Sequence, residues 1–315
     1  MADTSCMKAF PPLLTSLALL LITSASNASQ LLCGLGYGEQ KFPALPEFRA
    51  EQSGSGLYGC EYTGKVPDRV GNWFPGLPDL GFWQNKAGLY TSNDTQDTQG
   101  YSAFIGVPIK RLDRSTLYLH YQQQQWQQTL ISKQDINYQP PSGAMIQLIK
   151  DQAAAFESNE TRYGLALKFP YRSKHPLTEL RLSKVIQDQP SQADIIDRPL
   201  DTLYATKREF WELSIASDSF HRGLNINWHF GFAQGEISFG EEAQLPDNDE
   251  QDQLIAVTGR FDFFYRWRFN LRWHGYLVLE NEFLHWTQVK DEEELKLPDG
   301  TQMHSRLHGG FLLRF

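Results

Sequence analysis

Residues 224–232 read LNINWHFGF: Leu224, Ile226, Trp228, Phe230 and Phe232 are large and apolar, and Asn225, Asn227 and His229 stand between them. A period of two is the signature of a β-strand, whose side chains point alternately to opposite faces, one apolar and one polar. The same parity recurs on both sides. Downstream, Ile255, Val257, Phe261, Phe263 and Tyr265 oppose Arg260 and Asp262, and Phe269, Leu271, Trp273, Leu277 and Leu279 oppose Asn270, Arg272, His274 and Glu280. Upstream, Trp211, Leu213 and Ile215 oppose Glu212 and Ser214, and Tyr163, Leu165, Leu167 and Phe169 oppose Arg162 and Lys168. Leu117, Leu119 and Tyr121 oppose His120, Gln122 and Gln124, while Tyr101, Ala103, Ile105, Val107 and Ile109 form a further apolar set.

One-sided strands occur in soluble sandwiches and in membrane barrels alike, so the connections decide. The alternation predicts strands at 80–91, 100–110, 115–127, 161–170, 177–187, 207–217, 223–236, 253–265, 268–286 and 302–315. Short connections near 111–114, 171–176, 218–222 and 266–267 then alternate with long ones near 128–160, 188–206, 237–252 and 287–301, and 92–99 falls with the long set. Membrane barrels have short turns at one end and long loops at the other. Charge divides the same way. Lys110, Arg111, Arg114, Arg172, Lys174, Arg222, Arg266 and Arg268 lie at the short turns, whereas the long loops carry Glu241, Glu242, Asp247, Asp249, Glu250, Asp252 and the acidic run 291–294. The expected fold is therefore all-β, a transmembrane antiparallel up-and-down β-barrel of about ten strands. Twelve follow if 31–65, around Leu57 to Tyr62, supplies one more pair.

Composition is compatible with this. The 315 residues are 41% hydrophobic, an ordinary value, because alternation conceals the lipid face from an average. The chain also holds 20 Phe, 13 Tyr and 8 Trp, residues suited to the aromatic girdles of a membrane barrel. At the N-terminus, Lys8, the apolar run 13–22 and Ser26-Asn27-Ala28 read as a signal peptide over residues 1–28, with an apolar run too short for a spanning helix. Export leaves Cys33 and Cys60, an even pair in an oxidising compartment, predicted to form a disulfide. That pair staples a Gly- and Pro-rich periplasmic N-terminal segment placed at residues 29–79, with the barrel over 80–315.

The last residues, 303–315, read MHSRLHGGFLLRF and put Leu307, Phe311, Leu313 and Phe315 on one face of a strand with an aromatic terminus. This resembles the C-terminal signature of bacterial outer-membrane β-barrel proteins. The resemblance implies recognition by the barrel-assembly machinery, a Gram-negative outer-membrane location with the N-terminus periplasmic, and surroundings of outer-membrane lipid and lipopolysaccharide.

The polar face supplies the candidate functional residues. Arg162, Lys168, Arg181, Arg260, Asp262, Arg272, His274, Glu280, Glu282, Arg306 and His308 are expected to line the lumen. Simple hairpin registers pair Asp262 with Arg272, Glu282 with Arg306 and Glu280 with His308. A paired lattice plugs a small barrel, since unpaired charges in a narrow interior are costly. A porin-like narrow channel for ions or small solutes is the alternative, with Arg162, Lys168, Arg181, Arg260, Arg272 and Arg306 biasing permeation. A second alternative is a rim hydrolase of omptin or lipase type. The Asp-Asp and Asp-His motifs of the omptins do not map onto this chain, and His304-Ser305 puts its two side chains on opposite faces of a strand. His304 and His308 lie roughly 13 Å apart on an extended strand, too far to share a metal.

The run 247–252, DNDEQD, lacks the glycine of a calcium-binding loop and reads as solvated. No catalytic residue, metal site or cofactor is expected, and a formal charge of -8 disfavours nucleic acid. The 128–160 loop reads as a partner-binding element or an internal plug, with the surface ligand unknown. The sequence thus points to an outer-membrane structural or surface-interaction protein with a salt-bridged lumen.

Overall fold

The computed structural model describes residues 29–41, 48–50, 54–64, 78–86, 98–112, 115–138, 146–148, 150–151, 153–169, 177–189, 194–195, 198–199, 206–221, 224–239, 252–289 and 300–314. The expected signal peptide lies outside them. In chain order the first strands are β1 (Gln30–Lys41), β2 (Phe48–Ala50), β3 (Gly54–Thr63), β4 (Asp79–Lys86), β5 (Thr98–Leu112) and β6 (Ser115–Ser132). Next come β7 (Ile136–Tyr138), β8 (Ile146–Leu148), β9 (Ala153–Lys168), β10 (Leu177–Gln189), β11 (Asp194–Ile195) and β12 (Arg198–Pro199). The last are β13 (Thr206–His221), β14 (Leu224–Phe239), β15 (Asp252–Arg268), β16 (Trp273–Val289) and β17 (Gly300–Arg314).

Twelve of these close into one antiparallel barrel, in the order β1, β3, β4, β5, β6, β9, β10, β13, β14, β15, β16, β17 and back to β1. The seam pairs β1 with β17 from Gln30↔Arg314 to Lys41↔Met303. Both described ends of the chain therefore lie at the end where β5 meets β6, β13 meets β14, and β15 turns into β16 at 269–272. All ten strands expected from alternation are present, and the extra pair in 31–65 makes twelve. The expected boundary at residue 80 is corrected. Residues 30–41 and 54–63 are barrel wall, not a separate segment, and Cys33 and Cys60 are directly opposed in the β1–β3 ladder.

The disulfide joins them at a Cα separation of 4.1 Å. Cys33 shares the parity of the exposed Leu35 and Tyr37, so the bridge lies on the outer face. By loop entropy, a crosslink over 27 residues is worth about 3–4 kcal/mol. The inner face of β1 is glycine at 34, 36 and 38 for a physical reason visible at two positions. A Cβ on Gly34 would meet the Tyr276 hydroxyl, and one on Gly36 would meet the His308 side chain. Bulky neighbours from β16 and β17 occupy the space that β1 leaves.

Two further boundaries differ from expectation. The β15–β16 hairpin turns at 269–272 rather than 266–267, because Asn270 Oδ1 accepts the backbone N–H groups of Arg272 and Trp273 at 2.9 and 2.8 Å. The ladder consequently pairs Asp262 with Glu280 and Arg260 with Glu282. The 128–160 loop is also shorter than expected. β6 and β9 stay paired up to Ile131↔Ala153, six residues past Asn159↔Asp188, the last β9–β10 pair, and the small β7–β8 hairpin lies beyond. Outside, large apolar side chains face away from the barrel, Leu213 and Phe232 each being 56% exposed.

Because β1 and β3 are wall strands, a chain lacking residues 29–64 is expected to lose the compact, heat-modifiable form on detergent gels after refolding. A dispensable N-terminal segment would instead leave that form intact.

Candidate functional site: a filled and ion-paired lumen

Every second residue of each strand points inward, so the barrel interior is set by sequence parity and ladder register. A twelve-stranded wall is wider than the eight-stranded barrels whose side chains just fill the interior, so filling this one requires side chains that reach across. They do. Trp126 of β6 meets His304 of β17 with ring centroids 4.5 Å apart, and Gln124 Nε2 lies 3.2 Å from His304 Nδ1. Four strands separate β6 from β17 along the shorter arc. Arg162 of β9 likewise comes within 4.0 Å of Glu282 of β16. Arg306 Nε donates to His304 Nε2 at 3.0 Å, so a neutral His304 carries its proton on Nδ1, and the freely flipped Gln124 amide then offers it the carbonyl oxygen.

The interior is stratified. Toward the loops, Val185, Phe210, Ala233, Ile237, Leu254, Ala256, Leu284 and Trp286 form an apolar cluster lining β10 and β13 to β16. Toward the short turns, Tyr276, Val278 and Leu312 pack with Leu32 and Phe264. Between them lies an ionic layer. Arg162 is held by Glu212 at 3.2 Å and Glu160 at 3.1 Å, with Glu212 fully buried. Arg260 binds Asp262 at 2.8 Å and Glu280 at 3.0 Å. Glu280 is also approached by Arg306 at 3.8 Å and by His308 at 3.4 Å.

Lower in the barrel, Lys168 reaches Asp79 at 2.5 Å and caps the Tyr118 ring at 4.5 Å, while Arg181 pairs with Glu179 at 2.5 Å. A cavity of about 200 Å³ remains beside Asp79, Tyr118, His120, Lys168 and Arg181. A second, of about 400 Å³, lies near the short turns beside Gln30, Leu32, Asn225, Asn227 and Phe264.

Of the lumen residues expected from sequence, Arg162, Lys168, Arg181, Arg260, Asp262, Glu280, Glu282, Arg306 and His308 lie on the inner face within this network. His274 is buried inside near the short turns, with both ring nitrogens unpaired. Arg272 is corrected: it stands exposed in the 269–272 turn, with its carbonyl accepting from Arg314 N at 2.9 Å. Its expected partner Asp262 is bound by Arg260 instead. Glu280 does meet His308, whereas Arg306 meets Glu280 rather than Glu282. Leu307 and Phe311 face outward with Leu313 in the same parity, and Phe315 lies outside the described residues.

Sequence reasoning missed Glu61, Asp79, Glu160, Glu179 and Glu212 as partners. The parity of Glu160, Glu179 and Glu212 was readable, but which strand each would face required the register. Asp79 and Glu61 lay in the stretch read as a separate segment. Trp83 was missed with them; its indole donates to Glu61 at 2.6 Å and its ring lies 4.4 Å from His308.

No catalytic rim is assembled among the described residues. The His–carboxylate contacts, His229 with Glu212 at 3.9 Å and His308 with Glu280 at 3.4 Å, are inside the barrel. Ser183 Oγ lies 3.2 Å from His120 Nε2, a spacing that suits a nucleophile and base, but Ser183 is wholly enclosed and the contact bridges β10 to β6 behind β9. Among the described residues no group of three or more His, Cys, Asp or Glu could hold a metal ion.

An even number of antiparallel strands closed into a barrel, apolar outside and polar inside, is the architecture of bacterial outer-membrane β-barrel proteins, and this chain has it. No family model and no curated protein matches the chain. Among solved structures it is similar to the outer membrane protease OmpT of Escherichia coli, at 9% identity and a TM-score of 0.30 over 92% of this chain and 97% of that one. The toluene transporter TodX of P. putida matches at 11% identity and 0.35 over 93% and 92%. OmpT, an outer membrane protein of Vibrio cholerae, matches at 6% identity and 0.28 over 91% and 99%. Likeness this distant transfers neither activity nor ligand.

Removing one partner of a desolvated pair leaves the other charge buried. Arg162→Met strands the fully buried Glu212 without its arginine and is therefore expected to destabilise the folded barrel by about 3–5 kcal/mol in urea titrations. The double substitution Arg162→Met with Glu212→Leu is expected to recover most of that loss. A single-variant cost within about 1 kcal/mol would mean that the pair is solvated.

Proposed function

We propose that the protein is an integral outer-membrane barrel with a self-filled lumen, acting through the surface it presents at its loop end rather than through a pore. The observation that carries this is the set of contacts that cross the interior, Trp126 with His304 and Arg162 with Glu282, above and below which apolar clusters pack. An ordered, ion-paired interior supports a rigid scaffold. The long β6–β9 ladder, rising past the last β9–β10 pair, supports a surface-interaction role for the 128–160 region.

In this reading the short-turn end and the N-terminus face the periplasm. The outward Leu307, Phe311 and Leu313 serve recognition by the assembly machinery, and the outer face contacts lipid with lipopolysaccharide in the outer leaflet. The expected signal peptide, residues 1–28, is consistent with that route.

A narrow channel is the second reading. The two cavities favour it, since they hollow the half of the lumen nearer the short turns, but conduction also requires the Trp126–His304 contact to open. Planar-bilayer recording on the refolded chain separates the two. No stable single-channel steps are expected from the natural sequence, with steps emerging when Trp126→Ala and Trp286→Ala remove the loop-side filling. Steady steps from the natural sequence, with ion selectivity shifted by Arg260→Gln and Arg306→Gln, would establish the channel instead.

A further inference from the structure

Arg208 sits two residues from the loop end of β13, opposite Gln187 on one side and Ile237 on the other. None of its surface is exposed. Its guanidinium lies over the Trp286 ring, 5.0 Å from the centroid, and none of its three nitrogens has a hydrogen-bond acceptor. The Trp286 indole nitrogen is buried and unpaired as well.

The neighbouring carboxylate is already committed. Glu160 accepts from Gln187 Nε2 at 2.6 Å through one oxygen and from Arg162 at 3.1 Å through the other. Everywhere else in the described ionic layer a buried arginine is matched to a carboxylate; here a permanently charged, five-donor group is enclosed without one. Stacking on an indole offsets part of the desolvation and supplies no acceptor.

We propose that Arg208 and Trp286 form an anion-binding site at the loop end of the lumen, which takes one small organic carboxylate. The planar guanidinium fork matches a carboxylate bidentately, and the Trp286 N–H adds a further donor. The surrounding wall is the apolar cluster that contains Phe210, Ile237 and Leu254. That wall favours a carboxylate with a short apolar substituent over a strongly hydrated oxyanion such as sulfate. The site lies on the loop side of the Arg162 layer, since Arg208 pairs with Gln187 and Arg162 with Val185 along β10.

The test titrates sodium butyrate and sodium benzoate into the folded, detergent-solubilised full chain at constant ionic strength, with chloride and sulfate as comparisons. Two readouts are followed: tryptophan fluorescence, and the temperature at which the heat-modifiable form is lost. A saturable change in both is expected with the organic carboxylates. Arg208→Gln is expected to abolish it, Arg208→Lys to weaken apparent affinity by about tenfold through loss of the fork, and Arg314→Gln, at the other end of the barrel, to leave it unchanged.

An identical titration in Arg208→Gln and Arg208→Lys would overturn the proposal. So would the absence of a saturable response in the natural sequence.

Discussion

Closure is the constraint on which the rest depends. A strand in the hydrocarbon region has no water for its N–H and C=O groups, so a sheet survives there only if its two edges find each other. Here the edges are β1 and β17, joined through twelve register pairs. The seam needs the inward bulk of Tyr276 and His308 accommodated, and β1 does so by presenting glycine at 34 and 36. The disulfide beside it fixes β1 to β3 on the outer face, so the first edge strand is locked to its neighbour independently of the seam. Closing twelve strands also sets a width greater than a simple side-chain core fills, which is why the interior chemistry takes the form it does.

That interior is an arrangement of opposite charges brought into contact under apolar cover at both ends. The pairs earn specificity through geometry: each inward arginine in the ionic layer selects carboxylates on strands whose register is already fixed by the ladder. Arg162 joins β9 to β13 and to β16, Arg260 and Arg306 converge on Glu280, and Lys168 ties β9 to β4. The network therefore links walls that the backbone hydrogen bonds leave far apart, and it resists the ovalisation or opening that a hollow barrel permits. Arg208 is the exception, and its lack of a partner is what singles out the loop end.

Much of this was legible in the sequence, for reasons that also explain where legibility stopped. From β4 onward nearly every wall strand carries apolar residues on one parity and polar ones on the other, and the basic turns and acidic loops alternate, so the ten later strands could be read directly. β1 and β3 could not. The inner face of β1 is glycine rather than polar, and the connection from β3 to β4, residues 64–78, is long where the alternation rule expects a short turn. Both signals failed together, and the stretch read as a separate segment. The candidate site shows the same division. Parity identified Arg162, Arg260, Glu280 and His308 as inward, but pairing depends on register. A turn centred four residues early sent Arg272 to Asp262, when Asn270 in fact fixes the turn at 269–272. Contacts across the lumen, such as Trp126 with His304, have no sequence signal, because they depend on barrel width and not on any ladder.

The most direct test of a self-filled lumen is a crosslink across it. In the refolded barrel carrying Gln124→Cys and His304→Cys, oxidation or a short bifunctional thiol reagent is predicted to join β6 to β17 while heat-modifiable migration is retained. Crosslinking only by reagents spanning roughly 15 Å or more, a distance of several strand spacings, would mean that the lumen is open and would contradict the account.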